Sequence, residues 1–175
     1  MTTATEVMTR GVRTMTPSDT VALAAQAMDE LNVGAIPVCD GDRLLGMVTD
    51  RDIVVRGVAQ GLDGKSTPLS SVMSTGVRTV REGDDVDDVL SKMADNQIRR
   101  LPVIDGDNRL VGIISLGDLA TKDPGDEADI GQSLGTISSP SSPSKKASVS
   151  SSSILTEFGR SSMPIQKSSQ RRSRR

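Results

Sequence analysis

Histidine, tryptophan and tyrosine are absent from these 175 residues, and phenylalanine and cysteine occur once each. Without histidine the chain lacks the commonest general base near neutral pH and the commonest metal ligand. A single cysteine, Cys39, can close no internal disulfide and build no cysteine-rich zinc site. It falls in the apolar stretch "GAIPVC", where a buried, inert thiol is expected. The one ring, Phe158, stands far toward the C-terminus, so the preceding body offers no stacking platform for single-stranded nucleic acid. No apolar run approaches the roughly 18 residues that a bilayer span requires. The opening "MTTATEVMTRG" has neither the basic nor the apolar region of a signal peptide, and a cytoplasmic location is expected.

The charges nearly cancel overall but are unevenly placed. The net charge is -2, yet residues 138–175 hold eight Lys/Arg against the single acid Glu157, leaving 13 basic and 22 acidic residues in 1–137. An acidic body therefore precedes a basic tail. With 15 serines in 38 residues, that tail cannot bury enough apolar surface to offset its ordering entropy, and 131–175 is expected to be disordered. Its end, "QRRSRR", could meet nucleic acid or an anionic membrane electrostatically. A solvated appendage is the expectation, and no such contact is expected.

What the chain does have is a repeat. "VMTRGVRTM" at 7–15 answers "VMSTGVRTV" at 72–80, and "GAIPVCDGD" at 34–42 answers "RRLPVIDGD" at 99–107, both at an offset of 65. Asn108 is one inserted residue, after which "RLLGMVTDRDI" answers "RLVGIISLGDL" at an offset of 66. A duplication sustained through so many segments outranks any single motif.

Each copy reads as the same string of elements. Thr3 to Glu6 forms a capping box, and "TPLS" at 67–70 places proline at a first helical position. Short extended pieces follow at 12–14 and 77–79. Val21, Ala24, Ala25, Met28 and Leu31 then fall at helical spacing, matched by Val86, Val89, Leu90 and Met93. "VGAIPVCD", a two-residue turn and "RLLGMVT" predict a hairpin, and 50–60 a helix that Gly61 stops. The order is β-α-β-β-α twice, an α/β (α+β) class with domains at 8–66 and 73–130. One such unit has too little core to stand alone, so the two should pack face to face with pseudo-two-fold symmetry.

The signature Gly-apolar-apolar-Thr/Ser-x-x-Asp, the "PV" before each hairpin and the duplicated order resemble a tandem pair of cystathionine-β-synthase (CBS) domains. The resemblance covers roughly residues 5–122 and is nearest in wording ("TDRDI", "IRRLPV") to small stand-alone bacterial pairs, including the hypoxic-response type. It implies two clefts between the sheets, often holding adenine nucleotides, and a homodimer. The ring-poor core argues for a dimer as well, since association supplements thin burial.

Thr49 with Asp52, and Ser115 with Asp118, are the residues the signature singles out. One fixed carboxylate can accept from both hydroxyls of a ribose, while a hydroxyl at a helix start can donate to phosphate. With no rings available, adenine would lie among Ile36, Pro37, Leu101 and Pro102, with backbone near Thr14 and Thr79 reading the base edge. By resemblance Arg99 and Arg100 would face phosphate. Their counterparts are Gly34 and Ala35, so the second cleft is expected to be the phosphate-binding one, with Arg51 able to approach either. The competing reading is purely structural: Ser/Thr-x-x-acid at a helix start is also a capping pair.

Two decoys fail. "GLDGKST" at 61–67 has Ala59 where a phosphate-binding loop needs glycine, and "DGDNRLVG" at 105–112 has Leu116 where a calcium loop needs its bidentate Glu. The expected function is a ligand-sensing regulatory module taking AMP, ADP or ATP, with no obligatory cofactor and no metal. The alternative is a protein–protein adaptor or stress protein with vestigial clefts, and an enzyme is not expected.

Overall fold

The computed structural model describes residues 1–122 and 135–136; the disordered tail expected at 131–175 otherwise lies outside the described residues. The elements run α1 (Ala4–Val7), α2 (Val21–Leu31), β1 (Ala35–Asp40), β2 (Arg43–Thr49) and α3 (Asp50–Asp52). A π-turn (Ile53–Gly57), a 3-10 turn (Val58–Gln60) and a second 3-10 turn (Leu69–Ser71) lead into the second repeat. There follow β3 (Ser74–Thr75), β4 (Val80–Arg81), α4 (Val86–Asn96), β5 (Arg100–Ile104), β6 (Leu110–Ser115) and α5 (Leu116–Lys122).

Local chemistry explains most of these boundaries. Thr3 and Glu6 form the expected reciprocal capping box, and Thr20 and Asp85 cap α2 and α4 with their side chains. Both long helices end on a left-handed residue, Asn32 and Gln97, at φ 52°. Along α4 the predicted stripe Val86, Val89, Leu90 and Met93 is buried in full. Along α2, Val21, Ala24 and Met28 are buried, but Ala27 takes the place expected of Ala25, and Leu31 is exposed. Pro68 caps the turn at 69–71 from outside, one position earlier than the first helical place predicted for it. The helix predicted over 50–60 does stop at Gly61, whose φ is 70°, yet it is continuous with π and 3-10 geometry rather than regular.

The hairpins β1–β2 and β5–β6 are antiparallel, with Pro37 opposite Met47 and Pro102 opposite Ile113. The short extended pieces join one residue later than predicted. Met15 bridges Val38 in parallel, and β4 pairs in parallel with β5 through Val80 and Val103. The offset of 65 is kept.

Sequence order does not match spatial order at the start of each repeat. The segment that opens the first repeat (Ala4, Val7, Met8) is buried in the second repeat's core with Val80, Val86, Met93, Leu101, Ile114 and Leu119. The segment that opens the second (Leu69, Val72) is buried in the first repeat's core with Val21, Ile36, Val38, Val48 and Ile53. Thr9 pairs with Ile113 of β6, and β3 pairs with β2 through Ser74 and Met47. The two copies exchange their opening segments. Glycine makes room for each: a Cβ on Gly46 would stand 2.3 Å from the Ser74 carbonyl oxygen, and one on Gly112 would stand 2.8 Å from that of Thr9. The glycine of the repeated signature is thus a close-approach requirement.

A chain cut between Gly61 and Thr67 should therefore yield halves that each lack two buried residues or more of their core. Neither half alone should give a cooperative melt, whereas an equimolar mixture should recover one. Two independently cooperative halves would contradict the exchange as a stability requirement.

Candidate functional site

Between the repeats lies a cleft of about 280 Å³ lined by Ala35, Met47, Thr49, Asp52, Ser74, Val77, Arg78, Ile98, Arg99, Arg100 and Pro102. Strand alternation builds its walls. Ala35, Met47 and Thr49 project from one face of the first sheet, while Ile36 and Val48 on the opposite face enter the core. On β5, Arg100 and Pro102 face the cleft while Leu101 and Val103 are core. Ile36 and Leu101, expected as cleft walls, are therefore core residues, because neighbours on a strand cannot share a face. Pro37 lies on the same face of β1 as Ala35, buried opposite Met47.

The cleft brings together Thr49 and Asp52 from the first repeat with Arg99, Arg100 and Pro102 from the second. This corrects the expected pairing, which set the arginines beside Ser115 and Asp118. The face-to-face packing brings the hydroxyl–carboxylate pair of the first repeat to the strand start of the second. Arg78, Ser74, Val77, Ile98, Ala35 and Met47 belong to the cleft and were missed. A sequence signal existed for Ser74 to Arg78, since they close the repeated "VMSTGVR" segment, but nothing local said which cleft they would enter. Thr14 lines a separate groove with Arg13, Asp19 and Glu30. The Thr79 carbonyl accepts from Lys92 Nζ at 3.3 Å, and Arg51 is exposed on α3; neither lines the cleft.

Both carboxylates also act as caps, as the structural reading required. Asp52 Oδ2 accepts from Thr49 N at 3.0 Å and Thr49 Oγ1 at 2.7 Å, and Thr49 Oγ1 accepts from Asp52 N at 3.0 Å. Asp118 Oδ2 accepts from Ser115 N at 2.8 Å and from its hydroxyl. Capping occupies one oxygen of each. The other oxygen is where the pairs diverge. Asp52 Oδ1 has Arg56 Nη1 at 3.5 Å, and the same nitrogen donates to the Val72 and Met73 carbonyls and to Ser74 Oγ at 3.0–3.1 Å. Asp118 Oδ1 is held by Lys122 Nζ at 2.7 Å and by Thr9 Oγ1 at 3.1 Å, with Lys122 also donating to the Val7 carbonyl at 3.1 Å. Arg56 and Lys122 are repeat counterparts, and each clamps the exchanged segment onto the neighbouring carboxylate.

Burial raises the Asp118 carboxyl, but the hydrogen bonds from Lys122, Ser115 and Thr9 outweigh it and hold the group below its ordinary range. Burial, with Asp42 adding to it, pushes the Cys39 thiol up, as fits an inert core residue. Among the described residues no group of three or more His, Cys, Asp or Glu is placed to hold a metal ion. No helix among them is long and apolar enough to cross a membrane.

The profile of the CBS domain family matches twice, at residues 4–57 and 69–125. The chain is 46% identical to the CBS domain-containing protein YhcV of Bacillus subtilis over 138 residues, covering 79% of this chain and 96% of that protein. It is 40% identical to hypoxic response protein 1 of Mycobacterium tuberculosis over 141 residues, covering 80% of this chain and 96% of that one. Among solved structures it is similar to CBSX2 in complex with AMP, at 26% identity and a TM-score of 0.62, covering 69% of this chain and 94% of that one.

The depressed Asp118 carboxyl carries a stability consequence. Its contribution is fully present above the ordinary carboxylate range and is lost as pH falls through the lowered folded value. Asp118→Asn should cost about 1–2 kcal/mol at neutral pH and flatten the acid limb of the stability curve. Amide exchange at Val7 to Thr9 should quicken in that variant, and an unchanged acid limb would count against the clamp.

Proposed function

The chain belongs to the CBS domain family, carrying two copies, and from that premise we propose that it is a regulatory module binding an adenine nucleotide in the Asp52 cleft. One observation carries the reading: Asp52 and Thr49 share a single cleft with Arg78, Arg99 and Arg100. Asp52 Oδ1, loosely held by Arg56, can accept from a ribose hydroxyl pair. The three guanidiniums offer bidentate donors to phosphate, and Ala35, Met47, Val77, Ile98 and Pro102 give adenine an aliphatic slot. A relative solved with AMP supports the ligand class. An adenine nucleotide is a ligand here and not an obligatory cofactor. The nearest competing reading, an adaptor with vestigial clefts, leaves the three arginines around a carboxylate without a purpose.

Calorimetric titration with AMP, ADP, ATP and S-adenosylmethionine tests this. A charge-assisted bond to phosphate contributes on the order of 1.5–3 kcal/mol, so Arg100→Ala and Asp52→Ala should each weaken nucleotide binding about tenfold or more. Asp118→Ala should change it little. Binding indifferent to Asp52 and Arg100 would favour the adaptor.

The same reading includes a homodimer. The first repeat exposes Leu23, Leu31, Val54, Val55, Val58 and Leu62, whereas equivalent positions of the second include Asp88, Asn96 and Thr121. Among the described residues this apolar exposure falls on the first repeat, which suits a two-fold pairing of first repeat with first repeat that covers it on both chains and closes. Light scattering should give twice the chain mass at micromolar concentration, and Val58→Asp should shift it toward one chain. A wild-type mass of one chain would contradict it.

A further inference from the structure

The two signature carboxylates differ in what already holds them. At Asp118 every acceptor direction the signature could offer a ligand is met from within the chain. Oδ2 serves the cap, while Lys122 Nζ at 2.7 Å and Thr9 Oγ1 at 3.1 Å hold Oδ1. Lys122 is further fixed by the Val7 carbonyl at 3.1 Å and by Thr9 Oγ1 at 3.4 Å. At Asp52 the equivalent cation is an arginine 3.5 Å away whose donors are engaged by two carbonyls and Ser74 Oγ.

Charge points the same way. Around Asp52 stand Arg78, Arg99 and Arg100. Their repeat counterparts are Arg13, Gly34 and Ala35, and Arg13 lies in the separate groove with Thr14, Met15, Asp19 and Glu30. Of the three counterpart positions only Arg13 carries a guanidinium, and it faces that separate groove. Asp118 itself has no free carboxylate oxygen.

We propose that Lys122, with Thr9, is the resident occupant of the Asp118 carboxylate and closes the second cleft, so that each chain takes one nucleotide, at Asp52. The stoichiometry rests on the nucleotide reading above; the closure does not. Lys122 is a positioning residue for an internal contact, and displacing it should open a second site of weaker affinity.

The test is the number of ADP molecules bound per full-length chain, by calorimetry. Wild type should bind one, lost in Asp52→Ala and kept in Asp118→Ala. Lys122→Met should bind a second, weaker ADP that Asp118→Ala then removes, and Thr9→Val should bring the second site part of the way. Two equal sites in wild type, or a single site abolished by Asp118→Ala, would overturn the proposal, as would one site persisting in folded Lys122→Met and Thr9→Val chains. If wild type binds no ADP, the nucleotide reading fails and closure is read by carbodiimide footprinting with an amine nucleophile. Asp118 protected in wild type and labelled in Lys122→Met upholds it. Asp118 labelled as readily as Asp52 in wild type overturns it.

Discussion

Each repeat is completed by a segment that belongs, in sequence, to the other. Ala4, Val7 and Met8 fill the second core, and Leu69 and Val72 fill the first. Neither unit of roughly 55 residues could reach a self-sufficient core, since surface grows relative to volume as a domain shrinks. The exchange makes the two cores one cooperative problem. It also sets the signature's glycine, because Gly46 and Gly112 pass directly beneath the backbone of the arriving segments. A side chain at either position would push the exchanged strand off its partner.

The same exchange builds the cleft. Ser74 and Val77 arrive beside Thr49 and Asp52 because β3 pairs with β2, and the facing strand start brings Arg99 and Arg100. A fold device thus determines which charges meet which carboxylate. Arg56 and Lys122 fasten the arrangement from the helix that follows each hairpin, four residues beyond the signature aspartate. Capping and clamping are stability roles. Ligand recognition can use only what they leave, which is why two nearly identical motifs are left with different chemistry.

Much of this was legible without coordinates. The repeat offsets, the hairpins, the capping pairs at Thr3, Thr49 and Ser115, the α4 stripe and the buried Cys39 all depend on residues within a few positions of one another. Local sterics and hydrogen bonding are sufficient to specify such features. One departure is local in cause. Ile36 and Leu101 sit next to cleft-facing positions of their strands, and strand alternation sends them to the opposite face and into the core.

The sequence by itself determined that one β-α-β-β-α unit occurs twice, too small to stand alone, and where each hydroxyl–carboxylate cap would fall. Tertiary structure alone decided that the opening segments cross over, that the arginines of the second repeat face the aspartate of the first, and that Thr9 meets Asp118. Those outcomes join residues from 27 positions apart, Met47 with Ser74, to 109, Thr9 with Asp118. Their energies depend on which faces meet, a quantity that periodicity and capping patterns do not encode.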